Sequence, residues 1–84
     1  MSYKLIFSKD ALKSVRKLDT ITKKRLGKKL KEYTKDPLRY AKKLTDSKIG
    51  SYRWRIGNYR IVFDLTRKNI EVLQIGHRRE IYKK

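Results

Sequence analysis

The first apolar positions of the chain alternate. In SYKLIF, Tyr3, Leu5 and Phe7 fall at every second residue, the period of a strand with one buried face. Ser8 follows, a residue type that caps helices, with Asp10 placed in a first turn where a carboxylate suits the helix dipole. In KDALKSVRKL, Ala11, Leu12, Val15 and Leu18 fall on one face at helical spacing, and Lys9, Lys13, Arg16 and Lys17 on the other. Asp19 and Thr20 make a short break with cap chemistry. ITKKRLGKKLKEYTKDP predicts a second helix on which Leu26, Leu30 and Tyr33 share a face. Lys24, Lys28, Lys31 and Lys35 point the opposite way. Pro37 ends the helix and biases Asp36 toward an extended conformation.

Beyond Pro37 the period changes. LRYAKKLTDSKIG reads as a connector with a short helical turn, from which Leu38, Tyr40 and Leu44 can pack. Three strands follow, at about Ser51–Ile56, Tyr59–Leu65 and Asn69–Ile75. Ile56-Gly57-Asn58-Tyr59 is a tight hairpin candidate, and Thr66–Asn69 a second turn. The pattern predicts an α+β fold in the order β-α-α-β-β-β. Two N-terminal helices cover one face of a four-stranded, mainly antiparallel sheet, in a single domain over residues 1–84. The other face of the sheet is left free. In GSYRWRIGNYRIVF, Tyr52, Trp54 and Ile56 can turn to the helices while Arg53 and Arg55 turn to the free face. Arg60 joins them if the hairpin register allows.

Charge changes what that face means. The 84 residues hold 25 Lys+Arg against 8 Asp+Glu, a net charge of +17. Such a surplus repels itself in a compact chain and favours polyanionic partners, nucleic acid first among them. The lysines and arginines are segregated. Residues 1–48 carry thirteen lysines and three arginines; the remainder carries six arginines and three lysines. Arginine presents a planar fork of donors that fits phosphate, whereas lysine is a flexible point charge. The lysine stripe of the second helix, with Arg79, is the candidate RNA- or ribosome-binding surface.

Other classes are disfavoured. The chain has no cysteine, which removes disulfides, thiolate metal sites and a Cys nucleophile, and its single histidine makes a His-rich metal centre an unpromising reading. No apolar run approaches the roughly 20 residues of a membrane span, and the N-terminus lacks a signal-peptide pattern, so a cytoplasmic location is expected. No cofactor is expected.

The tail IGHRREIYKK sharpens the chemistry. His77, Arg78, Arg79, Glu80 and Tyr82 lie within six residues. Cleavage of RNA by its own 2′-hydroxyl needs a base, an acid for the leaving oxygen, and cations on the phosphate as charge builds. It needs no metal. Arginine stays protonated and cannot be the base. Histidine titrates near neutrality, which makes His77 the preferred candidate; Tyr82, with its phenolate favoured by nearby arginines, and Glu80 remain open. The arginines of the strands and of the tail are the candidate source of those cations.

The pattern DPxxYAKKL…GxYRxRIGxYRIVF…VLxIGHRREIY resembles the RelE/ParE superfamily of toxins from bacterial and archaeal toxin–antitoxin systems, over nearly the whole chain. The resemblance implies two helices against an antiparallel sheet. In the RelE branch it implies a ribosome-dependent endonuclease that cuts messenger RNA without a metal. Arg53 and Arg55 match the family's two basic residues before the hairpin, Arg60 its arginine after it, and Arg78 and Tyr82 the arginine and tyrosine of its tail. The implied roles are phosphate binding and polarisation for the arginines, and stacking on or positioning of a base for Tyr82. The best-known RelE proteins carry lysines where this chain has Arg53 and Arg55. The resemblance further implies an antitoxin that wraps the toxin, and an acidic one suits the charge. The ParE branch shares the fold but implies inhibition of DNA gyrase. A non-catalytic RNA- or ribosome-binding module is the remaining alternative.

Overall fold

The computed structural model describes residues 3–45 and 50–77. Strand β1 (Lys4–Phe7) leads into helices α1 (Lys9–Arg16) and α2 (Thr20–Tyr33); strands β2 (Lys42–Lys43), β3 (Tyr52–Ile56), β4 (Tyr59–Leu65) and β5 (Asn69–His77) follow. The sheet order is β1-β5-β4-β3-β2. Among the described residues, no helix is long and apolar enough to cross a membrane.

Both helices start on the caps that their sequences offer. Ser8 Oγ accepts the Ala11 backbone N–H at 3.0 Å and donates to the Leu73 carbonyl at 2.8 Å, which ties the start of α1 to β5. Asp19 caps α2, accepting from the Thr22 hydroxyl and the Thr22 backbone N–H. Those bonds, the hydroxyl's first, hold the Asp19 carboxyl below its ordinary value. A lowered folded value means that the cap stabilises α2 above the unfolded pKa and loses that effect as pH falls through the folded one. The helix ends earlier than Pro37 requires: Thr34 is its C-cap, and Lys35 lies just past the helix.

The sheet corrects the expected strand count from four to five. The connector after Pro37 is made of turns rather than a helical segment, and its Lys42 and Lys43 pair with Arg53 and Tyr52 as a two-residue edge strand. Nothing in a lysine pair alternates, so only backbone hydrogen bonding reveals it. Leu38 and Tyr40 are exposed, although Tyr40 stacks on Tyr33 with ring centroids 4.2 Å apart. The β3–β4 hairpin is as expected: Ile56 faces Tyr59 across Gly57-Asn58, and Gly57 has φ +60°. Glycine at the first central position with positive φ is the signature of a type II′ turn. β1 joins the sheet as a parallel edge strand on β5, with Leu5 beside Ile70 and Phe7 beside Val72.

The β4–β5 ladder carries an irregularity. Phe63 pairs with Val72 but Val62 pairs with Gln74, so Leu73 is an extra residue on β5. Ile70, Val72 and Ile75 are all buried in the core between sheet and helices, where they meet Ala11, Leu26, Leu30, Trp54, Ile56, Ile61 and Phe63. Leu12 is not among them. At 43% exposed, it sits on the outside of α1, a correction to its expected place on the buried face.

Trp54 anchors this core with no exposed surface. It packs tilted on Phe63 at 4.2 Å and edge-on to Tyr33 at 5.5 Å, and its indole N–H donates to the Pro37 carbonyl at 2.9 Å. That bond fixes the turn after α2 to the middle of β3.

On the other side of the sheet the chain closes over itself at Gly50. A Cβ added there would lie 2.7 Å from Val62 Cγ1 and 3.1 Å from Leu73 Cδ1. Val62 is buried and β-branched, so it gives little. Gly50→Ala is expected to cost about 1–3 kcal/mol by overpacking, measured as a lowered urea midpoint with unchanged slope.

Candidate nucleic-acid interface

The register of β2–β5 decides which side chains share a face. Trp54, Ile61 and Ile75 form one row across β3, β4 and β5, pointing into the core. The next row toward the hairpin is Arg55, Arg60 and Gly76, and the next row in the other direction is Lys42, Arg53, Val62 and Gln74. Alternation puts both of these rows on the face away from the helices. Arg53, Arg55 and Arg60 are therefore brought together, as the spacing predicts.

Their settings differ. Arg55 is exposed, Arg53 is partly buried, and Arg60 is only 6% exposed. Arg55 and Arg60 face each other directly across the hairpin. Opposed residues in an antiparallel pair have Cβ atoms about 4.5–5.5 Å apart, and like charges in that relation destabilise the sheet. An anion lying against both guanidiniums reverses the sign of that interaction. Gly76, third in the row, adds no side chain beside Arg60. The strands that carry the row turn Trp54, Ile61 and Phe63 into the core on their other face.

His77 is placed elsewhere. It pairs with Tyr59, and the two rings meet edge-on at 5.6 Å. Both line a pocket of about 190 Å³ with Ser14, Lys17 and Leu18 at the end of α1. The histidine is on the helix side of the sheet, and the described residues do not bring it to Arg53, Arg55 and Arg60. The cause is the extra residue Leu73. An unbroken alternation from Ile70 and Val72 would send residue 77 to the arginine face; one inserted residue reverses every later side chain. The apolar spacing of β5 carries this signal, since Val72 and Ile75 are three apart rather than two.

The lysine stripe is where the periodicity puts it. Lys24, Lys28 and Lys31 are exposed on α2, opposite Leu26 and Leu30, and Lys35 is exposed beyond its end. The tail candidates Arg78, Arg79, Glu80 and Tyr82 lie outside the described residues.

A family model described as the ParE toxin of type II toxin-antitoxin systems matches residues 5–82. No curated protein matches the chain at a significant level. The fold is shared with solved toxins. The toxin–antitoxin complex RelBE2 from Mycobacterium tuberculosis matches with a TM-score of 0.82 at 21% identity, over 92% of this chain and 99% of that one. The isolated E. coli RelE toxin matches with a TM-score of 0.75 at 30% identity, over 90% of this chain and 84% of that one. An archaeal RelE–RelB complex from Pyrococcus horikoshii gives 0.74 at 22% identity, over 93% and 97% of the two chains. A match over 5–82 leaves almost no part of the chain outside the family. The chain belongs to the RelE/ParE family of toxins of type II toxin–antitoxin systems, and its fold is RelE-like.

Proposed function

We propose that this toxin is a metal-independent endoribonuclease that cuts messenger RNA on the ribosome. The observation that supports the reading best is the arginine face: Arg53, Arg55 and Arg60 converge on one side of the sheet, with Arg55 and Arg60 opposed across a hairpin. Three guanidiniums held on strands suit a phosphate whose charge grows during reaction. The 30% identity to the E. coli RelE toxin supports the RelE branch.

In the proposed reaction the RNA 2′-oxygen attacks the adjacent phosphorus. The bond from phosphorus to the 5′-oxygen of the next nucleotide breaks, leaving a 2′,3′-cyclic phosphate and a 5′-hydroxyl. Arg53, Arg55, Arg60 and Arg78 bind and polarise the phosphate, and Tyr82 stacks on or positions a base. Lys24, Lys28, Lys31, Lys35 and Arg79 contact ribosomal RNA. The position of His77 beside Tyr59 argues against it as the base, so the proton roles fall to Tyr82 or Glu80. A cognate antitoxin, acidic to suit the +17 charge, covers the toxin when it is held inactive; toxin–antitoxin complexes of RelE-like proteins support such a partner.

The mechanism is read directly from the product ends. Ribosome-bound messenger treated with toxin that was first stripped with EDTA and desalted is expected to carry 5′-hydroxyl ends and cyclic phosphates. Fragments with 5′-phosphates, or a chelator-stripped toxin that cuts only when a transition metal is restored, would contradict it. General acid–base groups contribute roughly 10²–10⁴-fold. His77→Ala is accordingly expected to lower the cleavage rate by less than about tenfold, and a larger loss returns the base to His77. The description of the matching family model favours a second reading, a gyrase inhibitor of the ParE kind. It predicts blocked DNA supercoiling with the messenger left intact.

A further inference from the structure

The face that carries the arginines is not uniformly basic. Two rows beyond Arg55 and Arg60, Asp64 of β4 stands directly opposite Glu71 of β5, and Ile6 of β1 stands next to Glu71. All three alternate with core residues and so share the arginines' side of the sheet. Asp64 Oδ1 accepts the Ser51 backbone N–H at 2.8 Å. Among the described residues the one ion pair within 4.0 Å is Lys29–Glu32, at 3.8 Å, so neither Asp64 nor Glu71 is neutralised by a direct salt bridge there. Of the chain's eight acidic residues, two are opposed on the sheet face proposed to bind the messenger.

Like charges opposed across strands weaken a sheet slightly, so the opposition itself does not stabilise the fold, although the Asp64 bond to Ser51 does. The pair's effect on a ligand is larger. Strands rise about 3.3 Å per residue, which sets the acidic row roughly 7 Å along the strands from the row of Arg53 and roughly 13 Å from the row of Arg55 and Arg60. The screening length at physiological salt is about 8 Å. A phosphate at the Arg55–Arg60 row is thus mostly screened from the carboxylates. One that advances along the strands past Arg53 meets them. Between the two zones Gly50 closes over Val62 and Leu73, leaving a small apolar divide.

We propose that Asp64 and Glu71 form an electrostatic boundary that confines single-stranded RNA to the hairpin end of the sheet, where it crosses the strands along Arg55 and Arg60 rather than running lengthwise. The inference rests on the RNA-binding reading above. It makes the toxin a reader of a short RNA segment: longer RNA adds repulsion rather than contact.

The test is binding, free of cleavage. A short and a long 2′-O-methyl oligouridylate, which lack the attacking hydroxyl, are titrated with full-length protein by fluorescence anisotropy. Asp64→Asn/Glu71→Gln is compared with Asp10→Asn/Glu32→Gln, which removes the same two negative charges from α1 and α2. The boundary predicts that wild type binds both oligonucleotides almost equally. The sheet variant should gain about three- to tenfold for the long one only. The helix variant should shift both lengths alike. Equal gains from the two variants, or no length-dependent gain in the sheet variant, would overturn the boundary while leaving RNA binding intact. If wild type binds neither oligonucleotide even at low salt, the RNA-binding reading itself fails, and the boundary with it.

Discussion

Arg60→Met is expected to leave a folded toxin whose cleavage of ribosome-bound messenger falls by about 10²–10³-fold, the usual effect of removing one group aimed at developing charge. Arg60 is nearly inaccessible, so its long side chain contributes packing as well as charge. Methionine keeps much of the unbranched apolar length and removes the guanidinium. It also relieves the repulsion with Arg55, which offsets part of whatever else is lost. Cooperative unfolding should therefore persist. Arg55→Ala supplies the complementary case. Arg55 is exposed, so its truncation touches little packing, and its cleavage should fall at least tenfold with Tm nearly unchanged. An inorganic phosphate titration gives a readout independent of activity. Phosphate bound between the two guanidiniums should raise the Tm of wild type more than that of either variant. Cleavage near wild-type level in both variants would remove the arginine row from the mechanism.

Trp54→Ala is expected to have the largest effect on stability, about 3–5 kcal/mol. A domain of this length has roughly 4–13 kcal/mol in total, so the variant should lose from about a quarter to all of its stability. Two losses combine. The indole fills the space between Phe63 and Tyr33, with no surface exposed, and its removal leaves a cavity in the centre of the core. Its N–H also satisfies the Pro37 carbonyl, which would be left without that donor. Trp54→Phe separates the two contributions. It keeps a ring against Phe63 but cannot donate to Pro37, and should cost about 1–3 kcal/mol. Urea denaturation of the three proteins measures both steps. A Trp54→Phe variant as unstable as Trp54→Ala would assign the whole effect to the hydrogen bond.

These two sites show how far the sequence could be read. Tyr52, Trp54 and Ile56 alternate with Arg53 and Arg55, and a two-residue turn fixes the register that brings Arg60 alongside. Local pattern alone thus put the arginines on one face. The helices were equally legible, because Ser8 and Asp19 are caps and Leu26 and Leu30 repeat at helical spacing. Three features were not. Lys42 and Lys43 form an edge strand through backbone pairing, which a charged dipeptide does not announce. Leu12 lies at the margin of the apolar face of α1, where one residue's rotation separates exposure from burial. The inserted residue in β5 reverses the side-chain faces beyond it, which moves His77 to the helix side. For the edge strand and Leu12 the deciding interaction is with another element, about which a local period carries no information; the β5 insertion shows locally only as the three-residue step from Val72 to Ile75.

The measurement that tests the central claim most directly is primer extension on a defined messenger incubated with purified toxin, in parallel with and without ribosomes, using Arg60→Met as the control. Cuts within codons that need ribosomes, persist with toxin stripped beforehand in EDTA and vanish in the variant are the predicted result. An uncut messenger in every lane, with wild-type toxin blocking gyrase supercoiling, would contradict it.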